Sequence, residues 1–117
     1  MAGFEISGTD LRLRMSWIEK LEGMSGDIVA PLATVAAVRA VSNPWPELRG
    51  VRSPGTGVPG VIAVGTRRGG FGKDFAVVHG RGPAVVVELE GAPFSRLVAT
   101  TPDPEATAAT ILAASPR

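Results

Sequence analysis

Residues 61–89 read VIAVGTRRGGFGKDFAVVHGRGPAVVVEL, and this stretch decides the fold. Its three apolar, valine-rich runs, Val61 to Thr66, Lys73 to His79 and Ala84 to Leu89, have the length and residue types of strands. The segments between them, RRGGFG at 67–72 and GRGP at 80–83, carry the glycine content of hairpin turns, so the expectation is three antiparallel strands joined by two tight connections.

Downstream, residues 94–100 form a further strand run after Gly91-Ala92-Pro93. In TPDPE at 101–105, Asp103 is placed to N-cap a helix, Pro104 suits its first position and Glu105 favours the positive end of its dipole. The helix is predicted to run to about Ala114, packing through Ala108, Ile111, Leu112 and Ser115 with Ala109 beside them.

Upstream, Phe4 and Ile6 share one side of a short extended stretch. Leu11, Leu13 and Met15 then alternate with polar residues as a half-buried strand does. Ser16, with Glu19 three residues on, spells a capping box for a short helix over 17–22 that Gly23 and Gly26 end. Trp17, beside Ile18 and Leu21, is expected in the core. Residues 27–32 make a strand whose Pro31 points to a sheet edge or bulge, and 35–42 make another. Residues 43–60 hold prolines at 44, 46, 54 and 59 and glycines at 50, 55, 57 and 60. They read as a long irregular segment, either functional or poorly ordered. The sum is a single domain over 1–117, mainly β, with about seven antiparallel strands and one C-terminal α-helix.

The absence of cysteine excludes disulfides, thiolate metal sites and thiol nucleophiles. No basic leader or apolar run of membrane-spanning length is present, so a soluble, cytoplasmic protein is expected. The net charge of +1 conceals a basic middle: residues 39–81 carry seven Lys and Arg against Glu47 and Asp74, while the first 38 residues carry three against five acids.

The catalytic signals are weak. Gly55-Thr56-Gly57-Val58-Pro59-Gly60 matches the dinucleotide fingerprint by letter, but coil precedes it and a β-prone run follows, so it is read as a flexible turn. Gly69 to Asp74 lacks the first glycine and the hydroxyl of a phosphate loop and is read as a hairpin tip. His79 is the only histidine and reads as a solvated strand end, while Glu88 and Glu90 read as the wet face of a strand. No cofactor, no metal and no enzymatic activity are expected.

The candidate partner-binding residues are Trp45, Arg49, Arg52, Arg67, Arg68, Lys73 and Arg81. The cations fall in loops or at strand ends, where they make either an anion-attracting rim or scattered solvating charge. Trp45, between two prolines, is either an interface anchor or a plug over the core. Phe71 alone lies near the arginines, which argues against nucleic acid, since stacking platforms need several aromatics.

The order of these pieces, with DIVAPL at 27–32 and DPE at 103–105 the most telling, resembles the bacterial pleckstrin-homology-like (PH-like) domains. The resemblance implies a partly open barrel of two near-orthogonal antiparallel sheets plugged by the C-terminal helix. It also implies a binding or scaffolding role. Eukaryotic relatives hold phosphoinositides with a basic first loop, but here that loop, Trp17 to Gly26, carries Lys20 between Glu19 and Glu22. The expected function is therefore a non-enzymatic module contacting a protein partner or a second copy of itself. Peripheral binding to an anionic lipid surface, and a small-ligand barrel or enzyme lidded by residues 43–60, are the alternatives.

Overall fold

The computed structural model describes residues 2–116, without the side chains of 52–54. Among the described residues the chain runs β1 (Gly3–Ser7), β2 (Asp10–Arg14), α1 (Trp17–Gly23), β3 (Ile28–Pro31), β4 (Val35–Val41), β5 (Val51–Val58), β6 (Ile62–Gly69), β7 (Gly72–His79), β8 (Ala84–Leu89), β9 (Arg96–Thr100) and α2 (Pro104–Ala114). Mainly β with a C-terminal helix is thus the class observed. The strands form a three-stranded sheet, β1-β2-β3, and a six-stranded sheet, β4-β8-β9-β7-β6-β5, which do not close into one barrel.

Three expectations about the strands are corrected. Among the described residues the sheets hold nine strands, not about seven, and the one the sequence reading missed is Val51–Val58, which lies inside the expected irregular segment and pairs with β6 as an edge strand. Its glycines hid it. Gly55, at φ 149°, lies so close to β6 that a Cβ would stand 2.4 Å from the Val64 carbonyl oxygen, so the residue that weakens strand propensity is the one this pairing requires. Next, β7 and β8 are not a hairpin, since β9 lies between them. Finally, the sheet is mixed, because β9 pairs antiparallel with β8 but parallel with β7, Asp74 standing opposite Arg96 and Ala76 opposite Val98. The connection at 80–83 therefore steps over one strand.

That arrangement explains why Ala84 to Val87 is apolar without alternation: all four residues are fully buried, because both faces of the sheet are covered. One face, with Val64, Phe75, Val77, Val85, Val87 and Leu97, packs on Leu11, Leu13 and Ile28 of the small sheet and on Ile111 of α2. Each such large side chain contributes about 1.5–3 kcal/mol relative to its exposed state. The opposite face, with Ala63, Ala76, Val78, Ala84, Val86 and Val98, is covered by Trp45 and Leu48 of the 43–50 segment.

The helix α2 begins at Pro104 as expected, but the Asp103 side chain makes no capping bond, and Leu112 and Ala109 are exposed, leaving Ala108 and Ile111 as its buried residues. In the small sheet β3 is an edge strand, so Pro31 at its end interrupts no inner ladder.

Candidate functional site

Two surface features stand out, and the first is α1. Its capping box forms as the sequence spells it: Ser16 Oγ accepts from the Glu19 N–H at 3.2 Å, and Glu19 Oε1 accepts from the Ser16 N–H at 2.8 Å. The C-terminal cap is Met24 in the left-handed region at φ 52°, its N–H directed at the carbonyls of Leu21 and Lys20. The helix is well ended at both termini, yet it is turned inside out. Its buried residues are Glu19 and Gly23, while Trp17 is 73% exposed, Ile18 50%, Leu21 71% and Met24 73%. The core position expected for Trp17 is therefore corrected.

The inversion has a physical cause. Gly23 lies where a Cβ would meet Val64 Cγ1 at 3.1 Å and Phe75 Cζ at 3.2 Å, so a side chain there would make these neighbours give by a few tenths of an ångström, and glycine lets the helix sit close without that. Glu19 is buried because donors converge on it: Oε2 lies 3.2 Å from the Ala2 N–H and 2.8 Å from His79 Nε2. Burial by itself raises the Glu19 pKa, but bonds from the Ser16 backbone, His79, the Ser16 side chain and the Ala2 backbone outweigh it and leave the carboxyl below its usual range. Thr56 Oγ1 adds a bond to the Glu22 carbonyl at 3.0 Å. Polar contacts and a glycine hold α1 down, and its apolar residues face outward. His79 is thus not the solvated strand end expected but half-buried, with its ring on Glu19.

The cations around α1 are all paired. Asp27 pairs with Arg12 at 3.6 Å and Lys20 at 3.5 Å, and Glu5 pairs with Arg14 at 3.1 Å. The Met15 backbone N–H, more than these cations, holds the Asp27 carboxyl below its usual range.

The second feature is the 43–50 segment and the sheet face beneath it. Trp45 acts as a plug, half-buried over the second core and donating its indole N–H to the Gly80 carbonyl at 2.7 Å. Arg49 places a guanidinium fork on the buried Asp74, at 2.6 and 3.1 Å, and stacks 4.0 Å over the Phe71 ring. Arg96 does the same to Glu88, at 2.6 and 3.0 Å, and donates to the Glu47 carbonyl. Arg39 bridges Glu47 and Glu88. The bonds from Arg96, helped by its charge and those of Arg39 and Arg49, carry the Glu88 carboxyl below its usual range despite partial burial. Glu88 is therefore the centre of an ion-pair network, not the wet-face residue expected. Much of the basic middle of the sequence pins this segment to the sheet.

The remaining candidates are dispersed. Arg67 donates to the Arg49 and Gly50 carbonyls. Arg68 is exposed opposite Lys73 in the β6–β7 register, and Lys73 stands 4.6 Å over the Phe94 ring. Arg81 is exposed with its guanidinium against Gly60. The Arg52 side chain lies outside the described residues. Trp45, Arg49 and Arg67 are brought together by the 43–50 segment, then, while among the described residues the side chains of Arg68, Lys73 and Arg81 make no hydrogen bond to it. Glu19, Ile18, Leu21 and Met24, which sequence reasoning left out of the site, form the other feature; the capping box around Glu19 was the signal for it.

Among the described residues no three His, Asp or Glu side chains cluster as metal ligands, and no helix is long and apolar enough to cross a membrane. No protein-family model, curated protein or solved structure matches this chain, so its functional reading rests on the geometry of these two features.

Proposed function

We propose that this chain is a non-enzymatic protein-docking module that works through the outward face of α1, and that the surface it meets is α1 of a second copy. One observation carries the reading: a doubly capped helix directs Trp17, Ile18, Leu21 and Met24 to solvent while its buried side is a glutamate and a glycine. Nothing about packing within the chain calls for large apolar residues at these positions. The layout of strands followed by a closing helix supports grouping the chain with the PH-like binding modules it resembles, from which the parallel β7–β9 pair and the open sheets depart.

A second copy is favoured over other occupants on two grounds. The apolar positions 17, 21 and 24 form a stripe nearly symmetric about Leu21, so two helices crossing antiparallel on a two-fold axis bring Trp17 of one to Met24 of the other and Leu21 to Leu21. Aromatic–thioether contacts of that kind are favourable. The paired charges around the stripe also leave no cationic surplus to attract an anionic membrane. The stripe is four side chains, far fewer than the roughly 20–30 residues a side of a standard interface, so the association is weak.

A dilution series followed by NMR tests this. The indole N–H resonance of Trp17 is expected to move with protein concentration while that of Trp45 stays fixed. Concentration-independent spectra over the millimolar range contradict the proposal, as does binding of native protein, but not of Trp17→Ser, to neutral lipid vesicles without any self-association.

A further inference from the structure

A groove of about 490 Å³ lies on the far side of the molecule from the main core, between the 43–50 segment and the β5–β6 hairpin. Trp45 and Leu48 wall it, Gly57 and Ala63 line its floor, Val58 forms a lip, and Arg67 is its charged group. The floor is shallow because Gly57 and Ala63, paired across β5 and β6, present almost no side chain.

Arg67 differs from the other arginines of this face. Arg39, Arg49 and Arg96 are each paired with a carboxylate, whereas among the described residues Arg67 has none. Asp74 stands directly opposite Arg67 in the β6–β7 register but gives both carboxylate oxygens to Arg49. The Arg67 guanidinium is nonetheless fixed: its Nε–H donates to the Arg49 carbonyl at 3.0 Å and its Nη2 to the Gly50 carbonyl at 3.2 Å. Nη1 has no protein acceptor among the described residues. A guanidinium held in one plane by two carbonyls, with donors to spare and no counter-charge, is preorganised for a planar oxyanion.

We propose that this groove binds a small amphiphilic carboxylate, an apolar body of about ten carbons lying beside Trp45 on the Gly57–Ala63 floor with its carboxylate on Arg67. Among the described residues Arg67 is the one cation lining the groove, so a carboxylate monoanion is matched in charge where a phosphate dianion is not. The site is separate from the α1 contact and stands or falls independently of it.

The test uses native protein and two probes of equal size, 2-naphthoate and the uncharged 2-naphthylmethanol, titrated while the two tryptophan indole resonances and the Gly57 and Ala63 amides are followed. The carboxylate is expected to shift Trp45, Gly57 and Ala63 with a submillimolar to millimolar Kd and to leave Trp17 unmoved. The alcohol should bind at least about ten-fold more weakly, the loss of one charge-assisted pair. Arg67→Gln should lower naphthoate binding to the level of the alcohol. Equal binding of the two probes to native protein overturns the anion site even if the variant does not fold. Absence of shifts at about 5 mM, or shifts confined to Trp17, overturns the groove.

Discussion

The carboxylate of Glu19 lies 2.8 Å from His79 Nε2, joining the buried side of α1 to the end of β7 across 60 residues of sequence. Because Glu19 also closes the capping box and takes the Ala2 N–H, one side chain ends the helix, ties down the N-terminal segment and fixes the helix to the large sheet. Removing it leaves several partly buried donors without an acceptor. Glu19→Ala is expected to cost about 2–3 kcal/mol in urea unfolding, with faster hydrogen exchange concentrated in residues 17–24. A loss below about 0.5 kcal/mol contradicts this anchoring role.

The acid side of the stability curve follows from three carboxylates. Glu19, Asp27 and Glu88 all have folded-state pKa values below their usual range. A lowered folded pKa contributes stability that is present above the unfolded value and drains away as pH falls through the folded one. Stability should therefore hold above about pH 5 and fall as pH drops below about 4. Glu88→Gln should weaken that acid dependence in urea melts across this range; an unchanged slope would show that the Arg96–Glu88 pair contributes little.

At the sheet face under the 43–50 segment the two partners of one ion pair should respond unequally. Asp74 is almost wholly buried, whereas the Arg49 side chain is 34% exposed. Arg49→Met leaves a buried carboxylate without its partner and should cost about 3–5 kcal/mol, while Asp74→Ala frees a guanidinium that can turn to water and should cost less. The same ordering should appear in chemical denaturation of the two single variants. The reverse ordering contradicts the geometry.

What the sequence made legible, and what it hid, has a common logic. Local signals were readable wherever they act locally: the Ser16–Glu19 capping box, the Pro104 start of α2 and the valine-rich runs of β6 to β8 all appear in the structure. Misreadings occurred where tertiary context overrides local chemistry. The β5 strand looked like loop because Gly55 serves the close approach to Val64, and β9 between β7 and β8 could not be read from a four-residue connection that resembles a hairpin turn. Trp17 looked like core because apolar residues at helical spacing usually are. The observation that reverses it, the glutamate held on the inner side by donors 60 residues downstream and 17 upstream, has no signature in a local window. The basic middle was visible, but its use in pinning residues 43–50 depends on pairings across the sheet.

If the α1 stripe is a docking surface, it contributes little to folding. Trp17→Ser and Leu21→Ser should each change stability by no more than about 0.5 kcal/mol, whereas Leu97→Ala, at a fully buried position, should cost about 2–5 kcal/mol. Thermal or urea melts of the three variants decide the matter, and a core-sized loss for Leu21→Ser would make the stripe structural.

The most direct measurement is sedimentation equilibrium of native protein and Leu21→Ser side by side, from about 10 µM to about 1 mM. The native protein should rise from 12.0 kDa toward twice that mass, and the variant, equally stable, should remain monomeric throughout. A native protein that stays at the monomer mass at the highest concentration, or a variant that associates as the native does, would contradict docking through α1.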